Sequence, residues 1–426
     1  MFLTLEDPNA RIHGSRDPLG VQPAWASFGR HVVTNLTTVT NSIRGFTVLL
    51  LGRMLTEKMI DKGTAGEQDA LSIFLRTEQI GSYARHLAHG VDGDIRGIER
   101  VKRFVEENGP NVPIQDDASG MILSDQKVYG LWGLYSVSAR TSGMIADGPV
   151  GLTEFSREFT DKNYWSALQG VESKLFKLLK NGGSLKTHNN NPIFSTVSKL
   201  LPQTFTSEEV WFYSQTLRDA LHVKNIPSAK RQPLFAELLK NHSDLQNDIS
   251  RAEILGLAKV ARSKDETLAL RLEKIARLEA LFAPAEALFD YLQTRGDQKP
   301  ADLASKIRDH WGKQVPYLSK SSIDNIIPEI ENIVGKELAT VMRNCDLALD
   351  AGAYEDAIMC ILEWNKIVMA ARNAAPWIQL NDGKLDVRYR GQEKELPGGK
   401  KLPELWRNSY FIGALKRIVL NLADSN

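Results

Sequence analysis

Residues 32–54 read VVTNLTTVTNSIRGFTVLLLGRM, and the abrupt change of character inside this stretch decides the fold. Thr34, Asn35, Thr37, Thr38, Thr40, Asn41 and Ser42 carry short polar side chains that compete for nearby backbone groups, so this half forms turns and caps rather than a helix interior. From Ile43 onward the pattern is helical. Ile43, Phe46, Leu50 and Met54 recur at the three-to-four spacing that places them on one face, and Asn41 or Ser42 can accept from the free N–H groups at the start. The apolar run Val48–Leu51 stops at Gly52 and Arg53, far short of the roughly 20 residues that cross a bilayer.

Upstream, residues 1–30 hold Pro8, Pro18 and Pro23 and read as an extended arm docked through Leu19, Val21, Trp25 and Phe28. Downstream, Thr64-Ala-Gly-Glu67 has capping-box spacing and predicts a helix with Leu71, Phe74, Leu75, Tyr83 and Leu87 on its apolar face. Further helices are predicted over 94–107, 124–144, 153–162 and 164–180, with a loop or lid over 108–120. Thr206 or Ser207 caps a helix whose apolar face carries Val210, Trp211, Tyr213, Leu217 and Leu221. The longest helical reading covers 245–295, with Pro284 as a kink or a break. Helices over 301–311, 321–350 and 354–373 follow, the last with the broadest apolar face. Trp377–Tyr389 holds two short alternating runs about Asp382-Gly383, a β-hairpin signature. A helix over 404–422 closes the chain. The predicted fold is mainly α, a bundle-like multi-helix body with one small β-hairpin near the C-terminus. It divides into the arm 1–30, a helical domain 31–186, a central helical domain 206–376, and 377–426 packed on the latter, with the polar turn 187–192 as first boundary.

A chain of 426 residues buries enough surface to fold without disulfides or metals, and 53 basic against 52 acidic residues give a net charge of +1, so bulk charge does not demand nucleic acid. Two cysteines without a CxxC and no signal-like N-terminus predict a soluble protein of the reducing cytoplasm. No cofactor signature is present: Gly182-Gly-Ser184 and Gly398-Gly-Lys400 lack P-loop spacing, and no nucleophile elbow occurs. Cys345 and Cys360 lie in apolar helical contexts, as buried structural thiols do. Glu208 and Glu209 read as helix-start charge, and Asp116 and Asp117 as loop acids.

Three constellations carry possible chemistry. His86 and His89, followed by Asp92 and Asp94, have the sharing of one helix face that a metal site needs, though without the i, i+4 spacing of a metalloprotease helix. Arg44, beside hydroxyl and amide groups at a helix start, is suited either to a buried carboxylate or to an anionic ligand or partner. Arg388, Arg390, Lys394, Lys400, Lys401, Arg407, Lys416 and Arg417, interleaved with Trp377, Tyr389, Trp406 and Tyr410, mix cations with rings as nucleic-acid surfaces do. Asp386, Glu393, Glu395 and Glu404 dilute that charge, as on a solvated face.

The segments DPLGVQPAWASFGRHVVTNLTTVTNSIRGFTVLLLG (17–52), WIQLNDGKLDVRY (377–389) and LPELWRNSYFIGAL (402–415) resemble parts of uncharacterised helical proteins of bacterial anti-phage and restriction operons. The resemblance covers about a fifth of the chain and carries no catalytic motif. It implies a genomic neighbourhood in which such subunits act beside an ATPase, nuclease or other effector. Together with the absence of a catalytic constellation and the abundance of amphipathic helices, it leads to the expectation of a non-enzymatic subunit of a cytoplasmic defence complex. That subunit is expected to hold other protein subunits, with possible nucleic-acid contact through the basic C-terminal segment and no membrane. Two other readings remain open at this point: a metal-dependent nuclease built on His86, His89, Asp92 and Asp94, and a stand-alone nucleic-acid sensor.

Overall fold

Ser42 starts the first long helix as its side chain predicts, its Oγ accepting from the Gly45 N–H at 3.3 Å. The structure, a computed structural model, describes residues 17–148, 150–313, 323–390 and 394–423. The chain is mainly α. Among the described residues its strands form two antiparallel two-stranded sheets, and none of its helices is long and apolar enough to cross a membrane. Backbone contacts group the chain into two units. One takes Asp248–Tyr410 with the described residues up to Gly29, and the other takes Arg30–Asn247 with the C-terminal segment from Phe411.

In the second of these units the Ile43–Asp61 helix is buried on nearly every side from Ile43 to Thr56, not on one face alone. Gly45 makes that possible on one flank, since a Cβ there would lie 2.7 Å from the Tyr135 ring of the Leu131–Thr141 helix. The polar run before it is also largely buried, and its hydrogen bonds explain how. Gln232 Oε1 accepts from the amide and hydroxyl of Thr34. The Gln232 amide donates to Asn35 Oδ1 and to the Leu217 carbonyl, and Asn35 donates to Ser142 and to the Thr216 carbonyl. Arg30 Nη1 donates to the carbonyls of Val33, Thr34 and Leu36, closing the turn. Thr34, Asn35, Thr40 and Ser42 are thus buried with their side chains paired, as burial requires, while Thr38 at the tip of the corner is exposed.

Several boundaries differ from the sequence expectation for identifiable reasons. Thr64 donates back to the Met59 carbonyl and ends the preceding helix, so the next one, Ala70–His89, starts only after a 3-10 turn. The fourth helix starts at Ile98, after Gly97, rather than at 94. The predicted loop 108–120 contains the strand Asn111–Ile114, which pairs with Gly183–Lys186 in a second small sheet. Gly130 divides the segment 124–144 into Gln126–Tyr129 and Leu131–Thr141, which lets the Leu131 N–H reach Glu78 at 2.8 Å. A π-helical turn, Asp161–Trp165, joins the helices on either side of it.

In the first unit, residues 22–30 of the expected extended arm form the helix Gln22–Arg30, while residues 1–16 lie outside the described chain. Leu19, Val21, Trp25 and Phe28 are buried as expected. The Leu19 and Pro18 carbonyls accept from Trp364 and Asn365 of the Tyr354–Ala371 helix, whose Trp364, Ile358 and Ile361 are fully buried. The region 245–295 is two antiparallel helices, Arg251–Ala261 and Glu266–Leu292, and Pro284 lies within the latter without ending it. Gly335 likewise divides 321–350 into Ile327–Val334 and Lys336–Asp350, residues 321 and 322 lying outside the described chain. The hairpin forms in the expected register, Ile378–Asn381 against Lys384–Val387, with Asp382 and Gly383 at φ of 51° and 73°, the paired positive values of a type I′ turn. The final helix starts at Ile412, not at 404. The reason is Glu279, which accepts from the Arg407 and Asn408 N–H groups and from the Asn408 and Tyr410 side chains, drawing those amides away from any helical ladder.

Burial pushes the carboxyls of Glu78, Glu279, Glu286 and Asp346 up to about 7. The folded chain therefore holds protons on four groups over a pH range in which the unfolded chain has released them, and stability rises as pH falls from about 7 towards the ordinary carboxyl values. His222, whose pKa burial lowers, runs the other way as a single group. Thermal unfolding followed by circular dichroism is expected to give a Tm several degrees higher near pH 5 than near pH 7.5, and Glu78→Gln is expected to flatten part of that slope. A Tm that falls steadily over this interval contradicts the assignment.

Candidate functional site

Arg44, the second residue of the Ile43–Asp61 helix, is buried and uses every donor it has. Nε donates to the Pro202 carbonyl at 2.7 Å. Nη1 donates to Glu209 Oε1 at 2.5 Å and to Thr47 Oγ1 at 3.4 Å, and Nη2 to Glu209 Oε2 at 3.1 Å and the Thr204 carbonyl at 2.7 Å. Its guanidinium also lies 4.2 Å from the centre of the Phe205 ring. A guanidinium has five N–H groups, so none is left for a ligand. Of the two readings open for Arg44, the geometry supplies the buried carboxylate.

Glu209 is equally saturated. Beyond Arg44 it accepts from the Tyr164 hydroxyl at 2.9 Å and from the Thr206 N–H at 3.0 Å, while Thr206 Oγ1 accepts from the Glu209 N–H. This is a capping box turned inward to meet an arginine. Tyr213, one turn on, bonds Thr47 at 2.8 Å. Burial raises the hydroxyls of Tyr164 and Tyr213 well above their ordinary value, so both stay protonated, and Tyr164 donates to Glu209.

The inward Glu209 sets the phase of its helix, Ser207–Tyr213. Phe212, Tyr213 and Leu217 are buried, whereas Trp211, which the sequence pattern places on the same apolar face, is 54 % exposed and Leu221 is 59 % exposed. The helix passes into the π-helical turn Ser214–Arg218 and ends there, so Leu221, expected on the helical face, lies beyond it in the following turn. Trp211 instead packs on Phe155 at 5.6 Å between ring centres, and Phe155 stacks on His222 at 4.1 Å. Trp211 and Phe155 border a groove of about 460 Å³ whose rim includes Glu158, Lys162 and Glu208. The Thr206-x-x-Glu209 spacing signals the capping box, but nothing in it marks the glutamate as inward. Nothing in the sequence marked Trp211 as exposed.

The histidines and aspartates separate into different bonds. His86 Nδ1 lies 2.6 Å from Asp92 Oδ1, and Lys102 takes the other oxygen of Asp92 at 2.7 Å. His89 Nε2 lies 2.7 Å from the Ser198 carbonyl, and Asp94 faces Arg85. Among the described residues no group of three or more His, Cys, Asp or Glu side chains is placed to hold a metal ion. Of the basic C-terminal residues, Arg407 and Lys394 share the Asp290 carboxylate, and Arg388 lies 3.8 Å from Asp386. Lys416 is buried and donates to the Asn247 carbonyl. Arg390, Lys400 and Lys401 are exposed. Cys345 is buried and Cys360 half-buried, and burial raises both thiols above their ordinary value, which disfavours the nucleophilic thiolate.

No family model, no curated protein and no solved structure matches the chain.

The Arg44–Glu209 pair makes a prediction through its burial. Arg44→Met or Glu209→Leu alone leaves an unpaired buried partner and is expected to cost about 3–5 kcal/mol. The double variant Arg44→Met/Glu209→Leu is expected to cost clearly less than the sum. Urea denaturation of the three variants measures the coupling, and additive losses would show that the pair does not act as a unit.

Proposed function

We propose that this chain is a non-enzymatic subunit of a cytoplasmic bacterial anti-phage defence complex, and that it holds a partner protein through the exposed ring cluster at Trp211. The observation that carries the reading is Trp211 itself, more than half exposed and held rigidly against Phe155 beside a groove. A preorganised tryptophan loses little conformational freedom on association and offers a large apolar area, which is why tryptophan dominates binding hot spots. The rim charges Glu158, Lys162 and Glu208 supply both signs around it, as the polar border of an interface does. The resemblance of the two ends of the chain to proteins of anti-phage operons supports the setting, with an ATPase or nuclease effector as the partner. Arg390, Lys400 and Lys401, all exposed, are the residues through which the subunit would touch nucleic acid.

Affinity purification of the full chain from its native host, with mass spectrometry of what co-purifies, tests this. A stoichiometric effector is expected with the natural chain, and Trp211→Ala is expected to weaken its retention by roughly 30-fold, the loss of a hot-spot residue. Equal retention by the variant removes Trp211 from the interface. Turnover of a nucleotide or nucleic acid by the pure chain overturns the non-enzymatic reading.

A further inference from the structure

A separate cleft of about 470 Å³ opens in the same unit, between the start of the Ile43–Asp61 helix, the end of the Ala70–His89 helix and the loop 201–205. Its volume is that of a small-molecule site. Ile43, Leu201 and Phe205 give it apolar wall, and two arginines, Arg44 and Arg85, border it. These arginines are not equivalent. Arg44 has no donor to spare. The Arg85 side chain is only 6 % exposed, yet its carboxylate partner, Asp94, stands off at 3.9 Å, and its hydrogen bond to the Asp94 carbonyl is long at 3.4 Å.

A guanidinium so deeply buried ordinarily meets a carboxylate at hydrogen-bond distance, because desolvation is otherwise uncompensated. Burial pulls Arg85 below its ordinary pKa, and Asp94 only partly offsets this. The amides of Ile43 and Arg44, at the positive end of a 19-residue helix, have no backbone acceptor among the described residues. A fork of donors, a helix start and an apolar wall thus border one space. Asp94, a third exposed, occupies the near side as a loose internal counter-ion.

We propose that this cleft binds a small organic anion whose carboxylate or phosphate group is taken by Arg85 in place of Asp94, and whose apolar portion lies against Phe205 and Leu201. Benzoate and phenyl phosphate are the probes, with benzamide as the uncharged control, titrated calorimetrically into the full chain at fixed ionic strength. Benzoate or phenyl phosphate is expected to bind at one site and benzamide is not. The stronger of the two anions tells carboxylate from phosphate ester. Arg85→Gln is expected to weaken binding at least tenfold. Asp94→Asn, which removes the internal competitor, is expected to tighten it several-fold and keeps the test decisive if the arginine variant fails to fold. No binding of either anion, equal binding of benzamide, or an affinity unchanged in Asp94→Asn would overturn the proposal.

Discussion

Placing an arginine inside a protein is costly in proportion to the donors left unmet, and in the unit built on the Ile43–Asp61 helix Arg44 is the one whose five donors are all met. Meeting them fixes much else. The carbonyls of Pro202 and Thr204 must face inward, which sets the course of the loop 201–205. Glu209 must also face inward, which fixes the rotation of the Ser207–Tyr213 helix and sends Trp211 to the surface. Tyr164 and the Thr206 amide complete the lone pairs of Glu209, so the π-helical turn carrying Tyr164 is part of the same arrangement. One buried charge thereby decides where an exposed aromatic ring appears.

The other unit shows the same logic with the sign reversed. Glu279 lies in the middle of the long Glu266–Leu292 helix and is fully buried. Its oxygens demand donors, and the segment 407–410 provides them: two backbone amides, the Asn408 side chain and the Tyr410 hydroxyl. Asn408 also reaches Glu286, two turns further along. Tyr410 and Phe411 then take positive φ values of 44° and 61°, which bulky residues adopt only where the surroundings impose them. A continuous helix from 404 would have used the same amides for itself and left Glu279 without them.

These two cases mark what sequence reading reaches and where it stops. Periodicity, caps and turn chemistry are local, so the helical fold, the Ser42 cap and the Asp382-Gly383 hairpin were all legible. A short strand with a distant partner was not: Asn111–Ile114 contains Pro113 and pairs some seventy residues away, so nothing local announces it. Register was legible only while the spiral stayed regular. The helix that begins at Ser207 ends in the π-helical turn Ser214–Arg218, short of Leu221, which was read as part of its apolar face and is exposed. Buried charge was the largest gap. Glu209 and Glu279 have the composition of surface residues, and only their long-range partners reveal them as interior.

Counting donors separates a buried arginine that holds the fold from one that retains capacity for binding. Arg76, also buried, reaches the carbonyls of Leu179 and Lys180 and the Asp116 carboxylate, all within 2.7 Å. Arg44 is filled by two carbonyls, a carboxylate and a hydroxyl. In both, a carboxylate and backbone carbonyls at 2.7 Å or less offset most of the cost of burial, Arg76 Nε alone being left without a partner, and removing those bonds would expose an unsatisfied ion. Arg85 has the burial of the other two without their short bonds, and it borders the same cleft as the saturated Arg44. Its cost of desolvation is therefore only partly met from within. An external anion entering the cleft meets a cation already stripped of water and already positioned, so little reorganisation opposes the contact. That difference in satisfaction, not the presence of arginine, distinguishes the cleft from the rest of this interior.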